Sequence, residues 1–193
     1  MRPDSDPHFT SSRLVIFVGD LGGFALACRE RSDAEVARFL DRYYAMADAV
    51  LSEAGGRVVK FMGDAVLATF PAEEAAAAVH AAVTLDVSTE RLAREHAMPV
   101  TTGVNLHLGT VVEAELGRGA SRRPDVVGRA VNQAFLLGGG PGIRISEPVY
   151  RSLPSGERSP WTKRRPPAVY FLGAGGEPYE ELRRSAAANA ARW

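Results

Sequence analysis

The sequence GGRVVKFMGDAVLATF, at residues 55–70, contains two short runs typical of β-strands around a central turn. The runs cover residues 57–61 and 65–70 and are rich in β-branched and aromatic side chains, with only three residues between them. Two such runs joined by a few residues that include a glycine predict a β-hairpin. The hairpin places the carboxylate of Asp64 at its tip.

A second carboxylate follows an apolar run nearer the N-terminus. Residues 14–18 are apolar and partly β-branched, and they lead into Gly19 and Asp20. This pattern predicts a buried strand that delivers the Asp20 carboxylate at its end. Gly22 and Gly23 then break the strand, and glycines allow backbone N–H groups to approach a phosphate closely.

Two carboxylates at the ends of neighbouring strands form a candidate metal site. Asp20 and Asp64 can share hard cations, because Mg²⁺ takes few protein carboxylates and keeps positions for substrate phosphates. The alternative interpretation is that each is a turn aspartate beside a glycine, a common use of Asp. The two residues alone leave both interpretations open.

Helical patterns lie on either side of the hairpin. Ser32 and Glu35 have the spacing of a capping box, and apolar residues recur behind them at helical intervals until Gly55. The alanine-rich segment 72–96 predicts a second long helix, which Pro99 ends.

The rest of the chain continues the alternation of strands and helices. Residues 100–108 and 110–116 predict a second hairpin-like pair around Gly109, and short final strands are expected near the C-terminus. The order strand, helix, hairpin, helix, hairpin is that of an α+β, ferredoxin-like split βαββαβ sheet with helices packed on one face. The other predicted segments are a loop at 117–124, a helix at 128–137 and strands at 143–146 and 168–172.

Length and charge limit the classes of function. The chain has 193 residues, which fits one domain around one core. Lys plus Arg and Asp plus Glu each number 23, so no overall field draws the chain to nucleic acid or to an anionic membrane. A single cysteine, Cys28, forms no internal disulfide and suits a reducing compartment.

No targeting or membrane segment is recognisable in the sequence. The polar N-terminus lacks the apolar centre of a secretory signal, and no stretch reaches the ~18 to 20 continuous apolar residues of a membrane span. We therefore expect a cytoplasmic chain without membrane contact. Its expected organisation is a polar leader over residues 1–12, one domain over 13–173 and a peripheral C-terminal tail over 174–193.

Four segments together resemble the catalytic domain of class III nucleotide cyclases, the adenylate and guanylate cyclases. The resemblance covers about residues 14–172, and the uninterrupted Gly-Gly, Lys-x-x-Gly-Asp and Phe pattern of residues 55–70 is its most specific part. The other segments are VGDLGGFAL at residues 18–26, GVNLHLGTVVEAELG at 103–117 and RRPDVVGRAVNQA at 122–134.

The resemblance implies a metal site and a phosphate site. It makes Asp20 and Asp64 ligands of two Mg²⁺ or Mn²⁺ ions, with Leu21 contributing beside Asp20. Further substrate-binding positions that it implies are Gly22, Gly23 and Phe24 after the first strand, and Lys163 or Arg164 as the phosphate-binding cation before the last strand.

The resemblance also implies how the base and the ribose are recognised. Lys60 and Asp125 fall at the base-recognising positions, and Asn132 falls at the ribose-orienting position. A lysine can only donate, here to N1 of adenine, and an ionised aspartate can only accept, here from the exocyclic amine. Guanine presents the reverse pattern on that edge, so the pair favours ATP over GTP.

Two departures from the family pattern concern catalysis. The family has an arginine four residues after the asparagine, where it stabilises charge on the α-phosphate, but this chain has Leu136 there. Arg129, one helical turn before Asn132, is the first candidate to replace it. The second departure is the sequence GGGPG, which follows Leu137 almost at once and reshapes the region beside the ribose. Other arginines considered for the same role are Arg122, Arg123 and Arg144.

The resemblance implies an adenylate cyclase acting as a head-to-tail homodimer, in which two composite sites convert ATP to cyclic AMP and pyrophosphate. The first alternative, favoured by Leu136, is a weak or inactive nucleotide-binding module with a regulatory role. The second is a cyclase for GTP, UTP or CTP. A diguanylate cyclase or polymerase palm also shares paired aspartates, but the segments around Lys60 and Asn132 fit it poorly. The sequence does not identify a regulatory partner.

Overall fold

The computed structural model describes residues 9–164, 168–173 and 177–190. Residues 1–8 of the expected leader, Arg165 directly after Lys163 and Arg164, and both ends of the expected tail lie outside the described residues. The strands are β1 (Phe9–Gly22), β2 (Arg57–Met62), β3 (Ala65–Pro71), β4 (Thr101–Leu116), β5 (Arg123–Val127), β6 (Gly142–Ser146), β7 (Thr162–Arg164) and β8 (Val169–Leu172). The helices are α1 (Phe24–Ala27), α2 (Asp33–Glu53), α3 (Ala75–Glu95), α4 (Arg129–Phe135), α5 (Glu147–Ser152) and α6 (Glu177–Ala190).

The strands form one mixed sheet in the order β2-β3-β1-β4-β6-β8-β7. The long β1 and β4 are its antiparallel centre and stay in register from Phe9 opposite Ala114 to Gly22 opposite Thr101. The first part of β4 also pairs with β6 in parallel, and its second part pairs with β5. The predicted α+β split-sheet fold is confirmed.

The two faces of the sheet are covered by different helices. Side chains alternate along β1, as they must in a strand. Phe17 belongs to the larger core with α2 and α3, and Ile16 and Val18 belong to a smaller core with the seven-residue α4. The helices predicted on one face are therefore α2 and α3, while α4 covers part of the other. Asp20 continues the alternation of Ile16 and Val18, so it lies on the α4 face.

The hairpin and the first long helix follow the local sequence signals. β2 and β3 pair around the turn that holds Asp64. At the start of α2, the Ser32 side chain accepts a bond from the Glu35 amide at 3.3 Å, and the Glu35 carboxylate accepts one from the Ser32 amide at 2.9 Å. This reciprocal pair is the predicted capping box. Gly55, with φ of 84°, follows the helix end.

The predicted turn at Gly109 is wrong, because β4 runs without a break through that residue. A Cβ at Gly109 would lie 2.7 Å from the Cβ of Ala130. The glycine is therefore needed for the close approach of α4 to the sheet, and not for a turn. β1 also begins at Phe9 and not at Leu14, so residues 9–12 of the expected leader belong to the sheet. The expected loop at 117–124 ends where β5 begins at Arg123.

The C-terminal segment contains a docked helix. In α6, Tyr179 is 1% exposed, and its hydroxyl donates a hydrogen bond to Asp86 of α3 at 2.6 Å. Arg183 of α6 forms ion pairs with Asp86 and Glu90. The expectation of a peripheral tail does not hold for residues 177–190, since this helix packs on α3. Across the described ranges, no helix combines the length and the apolar composition needed to cross a membrane.

Candidate active site

The sheet brings Asp20 and Asp64 to the same end of two adjacent strands. In the β1–β3 register, Asp20 lies opposite Ala65, the residue that directly follows Asp64. Burial raises the pKa of Asp20, and the negative charge of Asp64 raises it further. The two carboxylates are therefore close enough to repel each other.

The donor set at this point suits a hard divalent cation. Two repelling carboxylates offer oxygen ligands, and a cation between them removes the repulsion. Among the residues that the structure describes, no group of three or more His, Cys, Asp or Glu side chains gathers around a common point. The remaining ligands must then come from backbone, water or substrate oxygens, as Mg²⁺ prefers. The Leu21 side chain is buried, so this residue can contribute only through its backbone.

The Gly22–Gly23 segment gives a tight exit from β1. Gly23 has φ of 83° and precedes the short α1. A Cβ at Gly22 would meet the Thr101 hydroxyl at 2.7 Å, so the backbone lies against β4 there. Phe24 is half-buried, and its ring stacks on that of Phe39 at 6.4 Å. The predicted substrate position Phe24 thus packs toward the core.

The structure brings together the two residues assigned to base recognition. Lys60 Nζ donates to Asp125 Oδ2 at 2.6 Å, although the residues are 65 positions apart. The other carboxylate oxygen of Asp125 accepts a bond from the Val126 amide at 2.8 Å. The side chains are 40% and 21% exposed, so a ligand can reach both. A lone donor and an oriented acceptor are placed side by side on the surface of the sheet.

A second ion pair supports the same arrangement. Arg57 of β2 pairs with Glu113 of β4 at 2.6 Å. The pair connects β4 to β2, which is also the strand that carries Lys60. The position of Lys60 beside Asp125 is therefore part of a wider contact between these strands.

The exposed surface of α4 carries the positions assigned to catalysis. Arg129, Asn132 and Leu136 are all exposed and follow each other at helical spacing. Leu136 is 73% exposed at the end of the helix, so the site of the missing arginine faces outward. Phe135 beside it is a further exposed large apolar side chain.

The other arginines considered for the missing charge are engaged elsewhere. Arg122 pairs with Glu115 at 3.2 Å, and Arg123 donates to nearby backbone carbonyls. Arg144 is buried and donates to the Gly140 carbonyl at 2.9 Å, which fastens the glycine loop after α4. These contacts leave Arg129 as the exposed candidate on α4.

Lys163 and Arg164 lie far from the aspartates of their own chain. They belong to β7, where Lys163 sits over the Tyr170 ring at 5.4 Å and Arg164 over the Phe171 ring at 3.9 Å. Four strand spacings separate β7 from β1 in the sheet order. At ~4.8 Å per spacing this is about 19 Å. A single chain does not bring these cations to Asp20.

Sequence reasoning missed one residue near the aspartates. Tyr43 was interpreted only as one of the apolar positions of α2, and it is 0% exposed. Its hydroxyl is buried without a hydrogen-bond partner in the described part of the chain. Burial raises the pKa of Tyr43, and the charges of Asp20 and Asp64 add to the increase. The signal in the sequence was a tyrosine where phenylalanine would fill the same core position.

Comparisons with known proteins identify the family of the chain. A family model described as the adenylate and guanylate cyclase catalytic domain matches residues 9–172. An adenylate cyclase of Anabaena cylindrica is 30% identical over 157 residues, which are 75% of this chain and 31% of that protein. An adenylate cyclase of Streptomyces coelicolor is 30% identical over 132 residues, or 68% of this chain and 31% of its own length. The chain thus spans under a third of the length of these relatives.

Solved structures share the fold. The adenylyl cyclase CyaB from P. aeruginosa matches with a TM-score of 0.76 and 19% identity, over 88% of this chain and 97% of that chain. The guanylyl cyclase Cya2 matches with a TM-score of 0.75 and 22% identity, over 88% and 96% of the two chains. At these low sequence identities, the structural similarity shows a shared fold and nothing further.

Proposed function

The chain belongs to the adenylate and guanylate cyclase catalytic domain family, and on this premise we propose that it converts ATP to 3′,5′-cyclic AMP and pyrophosphate. The observation that carries the choice of ATP is the contact between Lys60 and Asp125. Both relatives quoted above are named adenylate cyclases, which supports the same choice.

The base is recognised by the Lys60–Asp125 pair. Lys60 donates to N1 of adenine, and Asp125 accepts from its exocyclic amine. The Val126 amide holds the Asp125 carboxylate in place for this role. Guanine has a donor at N1 and an acceptor at O6. Its N1–H would face the Lys60 donor, and its O6 would face the Asp125 acceptor. The pair therefore selects against GTP by leaving polar groups unmatched.

Asp20 and Asp64 hold two divalent ions, Mg²⁺ or Mn²⁺. When bound, the ions supply positive charge that acidifies the ribose 3′-hydroxyl and neutralises the triphosphate. The mutual repulsion of the two carboxylates supports this assignment. The backbone of Gly22 and Gly23 lies beside them and offers N–H groups to the phosphates.

Residues of α4 orient the reaction. The ribose 3′-hydroxyl attacks the α-phosphorus in line as pyrophosphate leaves. Asn132 positions the ribose for this attack, and Arg129 supplies the charge that Leu136 cannot give to the α-phosphate. Lys163 or Arg164 binds the terminal phosphates.

The complete site is built by two chains arranged head to tail. Lys60, Asp125 and Asn132 of one protomer act on ATP that is held by Asp20 and Asp64 of the other. The exposed apolar side chains of Leu26 on α1 and of Phe135 and Leu136 on α4 support an interface there, because exposed patches of this kind mark contact surfaces. A homodimer of this type has two equal sites.

A catalytically weak or inactive nucleotide-binding module is the second candidate, and the exposed Leu136 favours it. Loss of such an arginine from a phosphoryl-transfer site, with no other residue in its place, lowers the rate by about 10³- to 10⁵-fold. A cyclase for GTP or a pyrimidine nucleotide remains the third.

One product assay separates these candidates. The purified chain is incubated with Mn²⁺ and with ATP, GTP, CTP or UTP in turn, and cyclic nucleotide and pyrophosphate are measured together. Equal amounts of cyclic AMP and pyrophosphate from ATP, with less product from the other three, support the proposal. Preference for another nucleotide overturns the assignment of the base. Binding of ATP without any product identifies the inactive module.

A further inference from the structure

The α4 helix carries the ribose-orienting position but has only seven residues. Isolated helices shorter than about 12 residues are marginal in water, so contacts with the rest of the chain must hold α4 in place. In its first turn, Ala130 packs closely against Gly109 of β4. Its last turn closes through the amide of Leu137, which donates to the Ala134 carbonyl at 3.4 Å. The chain then enters a loop of four glycines and one proline at residues 138–142.

The loop at residues 138–142 has little stiffness of its own. Gly138, Gly140 and Gly142 have φ values of 134°, 83° and 98°, a region that glycine adopts far more readily than other residues. Glycine also loses more conformational freedom on folding than any other residue, so ordering this loop is unfavourable in itself. Contacts from outside the loop must therefore stabilise it.

One arginine side chain binds most of the carbonyl groups of the loop. Arg144 lies on β6, two residues after the loop, and its guanidinium donates to the carbonyls of Gly139 and Gly140, the second at 2.9 Å. Longer bonds of 3.4 Å reach the carbonyls of Pro141 and Gly142. The donors of a guanidinium are fixed in one plane, so this single side chain holds several carbonyls at set positions.

The Arg144 side chain is itself fixed and lies against the end of α4. It is 7% exposed, and its guanidinium carbon lies 5.2 Å from the centre of the Phe171 ring of β8. A Cβ on Gly138 would lie 3.0 Å from Arg144 Nε, so the arginine packs directly against the first loop residue. From β4, the Asn105 amide donates to the Gly138 carbonyl at 2.9 Å. Arg144 and Asn105 thus fasten the point where α4 ends.

Stability alone does not account for the buried charge of Arg144. Removing a guanidinium from water is unfavourable, and replacement of buried charged groups by well-packed apolar side chains is often neutral or stabilising. What the arginine adds is a defined position for the loop. The helix that precedes the loop presents Arg129 and Asn132 on its exposed surface. The direction in which α4 presents them therefore depends on how the loop is held.

We propose that Arg144 is a positioning residue that sets the direction of Asn132 by fixing the end of α4, and this role rests on the function proposed above. The contacts run from Arg144 to Gly138, and from there to Leu137 in the last turn of the helix. Arg144 acts through this path and not on the substrate, because its donors are bound to carbonyls of its own chain. A single arginine thereby orders the glycine loop that departs from the family pattern.

The test is steady-state kinetics of Arg144→Lys with Mn²⁺ and ATP, alone and combined with Asn132→Ala. A lysine keeps the charge but lacks the planar fork that spans several carbonyls. We expect kcat to fall by about 10- to 100-fold with KM for ATP within about 3-fold, because misplacement of an orienting group slows the reaction step. In the Asn132→Ala background, Arg144→Lys should lower kcat by less than about 3-fold, since the residue that it positions is already absent.

Hydrogen exchange is a second measurement, and it needs no activity. In Arg144→Lys, the amides of Leu136 and Leu137 should exchange about 10-fold faster, while the Phe17 amide in the centre of the sheet should exchange at the wild-type rate. If Arg144→Lys does not fold, Asn105→Leu takes its place in both measurements. That variant has a side chain of similar size and removes the bond to the loop at Gly138, so the same changes are expected in it.

Arg158→Lys is the matched control. Arg158 also donates to backbone carbonyls, those of Leu153 at 2.8 Å and Arg151 at 2.6 Å, but it fastens the segment that follows α5. The control loses the same kind of contact at a place that does not adjoin α4. Its kcat should therefore stay within about 2-fold of the wild type, and exchange in α4 should be unchanged.

The outcomes separate the role of Arg144 from the proposed function. A lower kcat in Arg144→Lys that disappears in the Asn132→Ala background, with faster exchange confined to α4 and its loop, supports the positioning role. Wild-type kcat, wild-type exchange in α4, a full further loss in the Asn132→Ala background, or an equal loss in Arg158→Lys overturns it. If the wild type forms no cyclic nucleotide, the proposed function fails, and exchange alone then decides whether Arg144 fixes α4.

Discussion

Lys60 Nζ lies 2.6 Å from Asp125 Oδ2, and this contact joins the β2–β3 hairpin to β5. Both side chains are partly exposed, so the pair adds little to stability as a surface ion pair. Its geometry has a clearer use in recognition, because a fixed donor stands beside a fixed acceptor. The pair thereby connects the fold of the sheet to the choice of nucleotide.

Lys60→Ala should lower kcat/KM for ATP by about 10- to 100-fold, since a hydrogen bond to a charged group is worth about 1.5–3 kcal/mol. Steady-state kinetics with Mn²⁺ measure the effect. The control is Arg151→Ala, which removes an exposed ion pair of equal length, to Glu147 on α5, and should change kcat/KM by less than about 3-fold. Equal losses in both variants, or an unchanged preference for ATP over GTP in Lys60→Glu, would count against Lys60 as the reader of the base.

Leu136→Arg should raise kcat by about 10-fold or more with little change in KM for ATP, because a charge at this place acts on the transition state. Leu136 is exposed, so the substitution should leave the fold intact. Leu136→Gln, which is long and polar but uncharged, is the matched control. A kcat that stays at the wild-type value in Leu136→Arg would show that the site does not need an arginine there.

Asp20→Asn should reduce cyclic AMP formation by about 100-fold or more, since metal ions contribute several kcal/mol to such reactions. The same variant should melt at or above the wild-type temperature without metal at neutral pH. Burial and the charge of Asp64 raise the pKa of Asp20 above its ordinary value of 3.8. The protonated Asp20 side chain therefore contributes its full stabilisation below pH 3.8, and this contribution is lost as the pH rises through the raised pKa of the folded protein. At neutral pH the ionised carboxylate destabilises the fold.

Thermal unfolding over pH 3 to 8, with metal removed by a chelator, tests the second part of this prediction for Asp20→Asn. The melting temperatures of variant and wild type should converge as the pH falls toward 3. A variant that is less stable than the wild type at neutral pH would mean that Asp20 has a structural role.

Arg183→Ala should destabilise the chain by about 2 kcal/mol and lower the melting temperature by about 4–8 °C, because it leaves Asp86 largely buried without its cation. Burial already raises the pKa of Asp86, and loss of Arg183 raises it further. The destabilisation should then be largest at neutral pH and shrink as acid protonates Asp86. Arg184→Ala, at the exposed next position, should have little effect. Equal melting temperatures for the two variants would contradict the docking role of Arg183.

The sequence predicted the structural features that depend on residues close together along the chain. The β2–β3 hairpin and the capping box at Ser32 have local signals, and both are present in the structure. Gly109 was misinterpreted because a glycine in a strand resembles a turn, and only the approach of Ala130 explains it. The α6 helix was missed because its buried surface uses few large apolar residues, chiefly Tyr179.

The candidate site required more than local pattern. Lys60 and Asp125 are 65 positions apart, and only the family resemblance suggested that they act together. The isolation of Lys163 on β7 follows from the strand order, which spacing along the chain does not reveal. The sequence did not distinguish Tyr43 from the other core positions of α2, because a tyrosine at an apolar helix position usually packs in the core. Only the three-dimensional structure shows that its buried hydroxyl lacks a hydrogen-bond partner among the described residues.

The head-to-tail assignment can be tested by pairing inactive chains. Asp20→Asn and Asn132→Ala carry their defects in different halves of the composite site, so a dimer of the two has one site with both defects and one intact site. The control pairs Asp20→Asn with Asp64→Asn, which damages the metal half of both sites.

The most direct measurement is therefore the rate of cyclic AMP formation by heterodimers purified through two different tags. The Asp20→Asn and Asn132→Ala heterodimer should recover about half of the wild-type rate, while the Asp20→Asn and Asp64→Asn heterodimer should stay inactive. A first heterodimer that is no more active than its parent variants would contradict a cyclase site shared between two chains.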